Sequence, residues 1–229
     1  MTNKWLKVAL MAAAIATGTS IKIDAETVLY VPQDDRPVSL QYTVDTAREA
    51  GMTILTPPQN LISGKNYQGQ ADQIMAWVEQ NAGRADVMVL STDTLIYGGL
   101  VDSRKHNIPL TTLESRLKRI ESLKARNKNV RIYGFGTVMR SPRASGGGTE
   151  PAYYAEYGPT IFQIAALQDK LDSGSLTQEE TQKLMSLQAS VPVEYLQDWF
   201  DRRQKNMKIN KELIDETRSG VFDYFALGH

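Results

Sequence analysis

Cysteine is absent from the chain, and histidine occurs only at His106 and His229. The absence of cysteine excludes disulfides, thiolate catalysis and cysteine-based zinc sites. Two isolated histidines are also too few for a histidine-rich zinc site. His106 lies in a polar turn, where we expect a solvated loop residue rather than a base. We expect no cofactor and no metal, although carboxylates alone are compatible with a hard cation.

The chain also lacks an excess of charge of either sign. Its 26 basic residues balance 26 acidic residues, so the formal net charge is zero. Proteins that bind nucleic acid usually present a basic surface, so nucleic acid is not an expected partner. A composition of 41% hydrophobic and 23% charged residues is that of an ordinary globular domain.

The apolar run near the N-terminus is too short to span a membrane, which needs about 20 residues. This run, Val8–Thr17, follows Lys4 and Lys7, and Ile23-Asp24-Ala25 offers a cleavage site. The three-part pattern predicts a secretory signal peptide over residues 1–25. A buried N-terminal helix is the alternative. We expect an exported protein, periplasmic or extracellular, with no membrane span after cleavage.

Short apolar runs alternate with amphipathic stretches along the rest of the chain. The apolar runs predict strands at 26–31, 52–55, 86–90, 130–135 and 221–227. Helical spacing of apolar residues predicts helices at 38–50, 70–80, 111–126, 153–172, 177–189 and 193–216. This alternation predicts an α/β fold with parallel βα repeats. We favour an incomplete TIM-barrel-like arrangement, with an open doubly wound sheet as the alternative.

Residues 26–229 form one α/β domain in this interpretation. Its last predicted strand is followed only by Gly228 and His229. A further parallel strand would require a loop and a crossover helix after it. We therefore expect the domain to be truncated at its C-terminus, and an edge strand is the alternative interpretation.

Charged loops follow three of the predicted strands, where parallel α/β folds bind their ligands. After the first strand, Asp34, Asp35 and Arg36 lie between Pro32 and Pro37. Such a stiff loop is suited to holding one acid against Arg36 while leaving the other free for a ligand. Solvated turn residues are the alternative interpretation.

The second loop places Asp93 directly after an apolar strand, and Tyr97, Gly98-Gly99 and Arg104 follow it. The paired glycines would allow the backbone to approach a ligand closely. A helix N-cap by Asp93 or by one of the two residues before it is the alternative. Capping alone does not account for the tyrosine, the glycines and the arginine together.

The third loop carries Arg140 and Arg143 on either side of Pro142. Two arginines held in this way suit a carboxylate, a phosphate or a polyhydroxylated ligand. Gly134 and Gly136 precede them, but the third glycine of a dinucleotide-binding motif is missing at the required spacing. A nucleotide cofactor is therefore not expected.

At these loops the chain resembles a bacterial family, domain-of-unknown-function family 4127. The matching segments are Tyr30–Pro37, Ser91–Val101, Ser103-Arg104 and Val138–Arg140, together with the strand Val221–Gly228. The resemblance covers nearly all of the mature chain. Family members are longer and continue with further acidic motifs, which again implies a truncated chain. The family name implies kinship and no particular reaction.

The three loops together predict a hydrolase for a carbohydrate or another polar substrate of the cell envelope. Most enzymes that cleave glycosides need a pair of carboxyl groups. The catalytic candidates are Asp34, Asp35 and Asp93. The candidates for binding a small-molecule or carbohydrate substrate are Arg36, Tyr97, Arg104, Arg140 and Arg143. A non-catalytic exported binding protein for a sugar or an anionic ligand is one alternative, and a truncated remnant without function is another.

Overall fold

The computed structural model describes residues 25–144 and 147–228. Its strands form one five-stranded sheet. They are β1 (Thr27–Val31), β2 (Thr53–Leu55), β3 (Val87–Ser91), β4 (Arg131–Thr137) and β5 (Tyr224–Gly228). All neighbouring strands pair in parallel, so the prediction of an α/β fold with parallel βα repeats is confirmed.

Eight α-helices accompany these strands in the described ranges. They are α1 (Gln41–Glu49), α2 (Ala71–Asn81), α3 (Thr92–Tyr97), α4 (Asp102–Lys105), α5 (Leu110–Arg126), α6 (Tyr154–Asp172), α7 (Gln178–Ala189) and α8 (Val193–Arg218). The long helices lie close to their predicted positions. The short helices α3 and α4 were not predicted, because one or two turns are too short to show helical periodicity.

The strand order across the sheet is β2-β1-β3-β4-β5. This is the order of an open doubly wound sheet, the second of the two arrangements expected from the sequence. Consecutive strands of a barrel would instead place β2 beside β3. After β1 the chain forms β2 at one edge of the sheet, and it then crosses back over β1 to form β3 on the other side. The direction in which strands are added therefore reverses between β1 and β3. Open α/β sheets bind ligands beyond the carboxyl ends of the strands at such a reversal.

The main core lies between one face of the sheet and the helices α2, α5 and α8. Successive strand side chains point to opposite faces, so only alternate strand residues enter it. On α5 the buried positions recur every three or four residues, as expected of an amphipathic helix. The fully buried strand and helix residues of this core include Leu29, Val31, Met88, Leu90, Ile74, Met75, Leu113, Ile120 and Leu213.

A second, smaller core holds the segment that follows β4. It is built by α6, α7 and the first half of α8, and Trp199 stacks on Tyr154 with 4.6 Å between ring centroids. The helix α8 joins the two cores, because Trp199 belongs to the smaller and Leu213 to the larger. Met139 is also buried in the smaller core. This contact fixes the start of the loop that carries Arg140.

The helices in residues 25–144 and 147–228 include none that is long and apolar enough to cross a bilayer. The predicted signal peptide lies outside the described residues, apart from Ala25. Its prediction therefore rests on the sequence pattern alone.

Candidate functional site

The loops after β1, β3 and β4 meet at the carboxyl group of Asp93. The side-chain amide of Gln33, after β1, donates a hydrogen bond to Asp93 Oδ2 at 2.9 Å. The hydroxyl of Thr137, at the end of β4, donates to the same oxygen at 2.8 Å. The hydroxyl of Thr94 donates to the carbonyl of Pro32 at 2.7 Å. Three strand ends are thus joined beside the reversal of strand order.

Asp93 reaches this position because α3 begins at once after β3. The Ser91 hydroxyl accepts a hydrogen bond from the backbone N–H of Thr94 at 3.2 Å, so Ser91 is the N-cap. Asp93 lies in the first turn, where the helix dipole favours a carboxylate. Strand β4 approaches closely because residue 136 is glycine. A Cβ there would lie 2.3 Å from the hydroxyl oxygen of Thr92.

The carboxyl group of Asp93 is an unusual proton-binding group. The residue is only 2% exposed. Burial raises its pKa to about 6, against the opposing effects of the hydrogen bonds from Gln33 and Thr137 and the charge of Arg104. Desolvation disfavours the charged carboxylate, which is why burial dominates. Asp93 therefore gains or loses a proton close to neutral pH.

Two other arginines, Arg140 and Arg36, lie near enough to the guanidinium of Arg104 to affect its charge. Burial lowers the pKa of Arg104, and the positive charges of Arg140 and Arg36 act in the same direction. The negative charges of Glu150 and Asp93 act in the opposite direction. Two predicted ligand-binding residues, Arg36 and Arg140 from two other loops, thus act electrostatically on a third, Arg104.

Glu150 is a site residue that the sequence analysis missed. Its side chain is 1% exposed and accepts hydrogen bonds from Arg140 Nε at 3.0 Å and Nη2 at 2.8 Å. Burial alone would raise its pKa, but hydrogen bonds from Thr149 and Arg140, together with the charges of Arg140 and Arg104, outweigh burial and lower the pKa. Arg104 Nη1 lies 3.9 Å from the same carboxylate. Glu150 follows a glycine-rich loop in the sequence, and no motif marks it there.

The two other carboxylates proposed as catalytic already have partners. Asp34 accepts a hydrogen bond from Arg36 Nε at 2.8 Å and pairs with Arg36 Nη2 at 2.7 Å. This is the acid–arginine pair that the sequence suggested. Asp35 was expected to stay free for a ligand, but it accepts a hydrogen bond from the hydroxyl of Tyr67. Tyr67 lies 32 residues further on, so the sequence gave no signal for that contact.

Tyr97 lies one helical turn after Asp93. Its hydroxyl is buried and has no hydrogen-bond partner within the described residues. Burial, and secondarily the charge of Asp93, raises the pKa of this hydroxyl well above its ordinary value. The ring stacks on His106 with 4.8 Å between centroids. Tyr97 therefore joins the predicted site, with a polar atom available for a water or a ligand.

The paired glycines and Arg143 make close contacts within the chain. A Cβ on Gly99 would lie 1.8 Å from the hydroxyl oxygen of Ser63, so the glycine pair allows the 63–69 segment to pack closely. Arg143 lies over the ring of Phe162, 5.2 Å from its centroid. It makes no hydrogen bond or ion pair with Glu150 or Asp93 in the described part of the chain.

A family model with the description "Protein of unknown function (DUF4127)" matches residues 28–229. The chain belongs to the DUF4127 family. The resemblance found in the three loops is thereby confirmed. Searches of curated proteins and of solved structures found no match to it.

In this DUF4127 chain, His106 is buried rather than solvated, with 4% exposure. Its Nε2 lies 2.8 Å from the side-chain oxygen of Asn206, which accepts the hydrogen bond when Nε2 carries the proton. Its Nδ1 accepts a hydrogen bond from the N–H of Ile108 at 3.3 Å. The neutral ring satisfies both contacts, and burial lowers the pKa of His106 to about 4.

We therefore predict that His106 stays neutral down to about pH 4. The unfolded chain binds this proton below about pH 6.5, so the contribution of His106 to stability falls as the pH drops from 6.5 toward 4. NMR titration of the imidazole protons would measure the pKa, with free histidine as the reference. A His106 titration near pH 6.5 would contradict the prediction.

The described residues contain no group of three or more histidine, aspartate and glutamate side chains that could hold a metal ion. The candidate site consists of a buried carboxyl group, a second carboxylate within an ion-pair network, three arginines and a buried phenol.

Proposed function

We propose that the carboxyl edge of the sheet is the active site of a hydrolase for a polar, anionic substrate, with Asp93 as its general acid. The observation that carries the proposal is a buried carboxyl, at the reversal of strand order, with a pKa of about 6. A general acid works best when its pKa lies near the working pH. Strongly perturbed carboxyls are concentrated at functional sites.

Glu150 supports this proposal as the second carboxylate. The environments of Asp93 and Glu150 move their pKa values in opposite directions. Such a pair is the usual basis for dividing the acid and base roles between two carboxyls. Arg104 interacts with both of them. Glu150 takes the role first considered for Asp34 and Asp35, which shape the loop after β1 through their own partners.

The arginines supply the argument for an anionic substrate. Burial lowers the pKa of Arg104, and repulsion from Arg140 and Arg36 lowers it further. A carboxylate or phosphate on the substrate would relieve this repulsion and accept charge-assisted hydrogen bonds. Acidic carbohydrates and other anionic envelope polymers carry these groups. They are also substrates that a protein exported by the predicted signal peptide would meet.

We predict that Arg104→Gln weakens binding of a sugar acid at least tenfold. A charge-assisted hydrogen bond contributes about 1.5–3 kcal/mol, and about 1.4 kcal/mol corresponds to a factor of ten. Calorimetry of the full chain with glucuronate would measure the effect. Arg143→Gln is the matched control, because Arg143 lies on Phe162, and we expect its affinity to stay within twofold. Equal losses in the two variants would contradict the role of Arg104.

Hydrolysis is tested separately from binding, by incubating the full chain with acidic and neutral oligosaccharides and measuring new reducing ends. Cleavage that is lost in Asp93→Asn would support the hydrolase. Glucuronate binding without cleavage of any oligosaccharide would favour the second candidate, a non-catalytic exported binding protein for an anionic ligand. The near-complete burial of Asp93, at 2% exposure, is the observation that favours this second candidate.

A further inference from the structure

A groove of about 450 Å³ lies on the flank of the molecule, beside the first turns of α2 and α5. Its volume is within the range of small-molecule sites. Its uncharged lining residues with hydrogen-bonding side chains include Gln68, Gln73, Tyr97, His106, Asn107 and Thr112. Asp93, Arg104, Arg140 and Glu150 do not line it. The groove is therefore distinct from the site described above, although Tyr97 borders both.

Several polar groups in the groove are free to bind a ligand. Within the described residues, the side-chain amide of Gln68 and the hydroxyl of Thr112 make no hydrogen bond. The side-chain oxygen of Asn107 accepts a hydrogen bond from Arg202 at 3.0 Å, and its NH₂ group has no such partner. Amides and hydroxyls both donate and accept hydrogen bonds, which matches the hydroxyl groups of a polyol.

The charges in the groove neutralise each other. Arg116 and Asp72 form an ion pair, with 2.6 Å between Arg116 Nη2 and Asp72 Oδ2. Arg116 Nη1 also donates to the carbonyl of Ile96 at 2.6 Å. His106 is kept neutral by its burial, which lowers its pKa to about 4. No excess positive charge is left to select an anion, in contrast to the cluster of three arginines.

Tyr97 and His106 contribute to the apolar surface of the groove together with Ala71, Ile108 and Pro109. Their rings are stacked, with 29° between their planes, and are 7% and 4% exposed. The stacking and burial hold both rings in place. A rigid aromatic pair beside several amides combines apolar surface with a few placed polar groups, as in most small-molecule sites. A sugar ring has the matching surface, with apolar faces and a polar edge.

We infer that this groove binds a neutral polyhydroxylated ring, such as a sugar unit, through its amides and the Tyr97–His106 pair. The inference does not depend on the chemistry proposed for Asp93. A neutral sugar in the groove and an anion at the arginines would be bound by separate groups of residues. The two kinds of binding should therefore respond to different substitutions.

The test is an NMR titration of the full chain with glucose, galactose and N-acetylglucosamine. At least one of these should shift the side-chain NH₂ signals of Gln68 and Asn107 in a saturable way. Thr112→Trp places a large ring in the groove and should weaken that binding at least tenfold. Thr111→Trp is the matched control, because the neighbouring Thr111 is exposed and does not line the groove. It should change the affinity by less than twofold.

Two further variants test sugar binding in the groove independently of Thr112→Trp. Gln68→Ala changes an exposed side chain, and should weaken sugar binding even if Thr112→Trp fails to fold. Arg104→Gln should leave sugar binding unchanged while it weakens binding of glucuronate. The inference is overturned if none of the three sugars binds, if both tryptophan variants bind as the parent does, or if glucuronate is the ligand that shifts the groove signals.

Discussion

Replacing Asp93 with asparagine is expected to raise the free energy of unfolding at pH 8 by up to about 3 kcal/mol. The carboxyl has a pKa of about 6 in the folded protein, against an ordinary value of 3.8. The folded protein thus keeps a proton that the unfolded chain releases, and stability falls as the pH rises from about 4 to about 6. A shift of about two units corresponds to about 3 kcal/mol. Asparagine has the same shape and no charge to desolvate.

Urea denaturation at pH 4 and pH 8 measures this effect. The variant should have a higher free energy of unfolding than the parent at pH 8. The difference should be small at pH 4, where Asp93 of the folded parent is already protonated. The same variant should lack the hydrolytic activity proposed above, since an amide does not transfer the proton. Asp169→Asn, at an exposed position on α6, is the control and should change stability little at either pH. A variant that is less stable than the parent at pH 8 would contradict the burial argument.

Replacing Arg140 with methionine is expected to lower the free energy of unfolding by about 2 kcal/mol. It leaves the Glu150 carboxylate, 1% exposed, with only the more distant Arg104 as a charged partner. Breaking a fully buried ion pair typically costs about 3–5 kcal/mol, and the 42% exposure of Arg140 reduces that figure. Denaturant unfolding of the single variant measures the loss.

A double-mutant cycle separates the pair from its surroundings. Glu150→Gln removes the buried charge, so adding it to Arg140→Met should recover more than half of the lost stability. Glu150→Gln alone is expected to loosen the positions of Arg140 and Arg104 and to reduce the proposed hydrolytic activity. If the two substitutions have independent, additive effects, Glu150 and Arg140 do not form the coupled pair seen in the structure.

The fold class was predictable because its signal is local. The strands β1 and β3 are almost wholly apolar and bounded by polar turns, and α5 shows a regular apolar stripe. The strand order was not predictable to the same degree. It depends on whether β2, only three residues long, pairs on one side of β1 or the other. That choice is made by packing between distant segments, which local patterns do not encode.

For the candidate site, too, one part was predictable from the sequence and another part was not. Its location followed from the rule that parallel strands bind ligands at their carboxyl ends, and this rule selected Asp93, Arg104 and Arg140. The roles of the individual residues could not be predicted from this rule. The burial of Asp93 depends on the close approach of β4 at Gly136, and Asp35 is occupied by Tyr67 from a distant loop. Each of these contacts joins segments that are far apart in the sequence.

Hydrogen bonds at Asp93 join three segments of the chain, and this has a consequence for folding. Gln33 lies 60 residues before it and Thr137 lies 44 residues after it. The environment that raises the pKa of Asp93 exists only when all three segments have assembled. A chain in which β4 has not yet docked leaves this carboxyl in water, where it ionises like any free aspartate. The protonation state of Asp93 at about pH 5 therefore indicates whether the three segments have assembled.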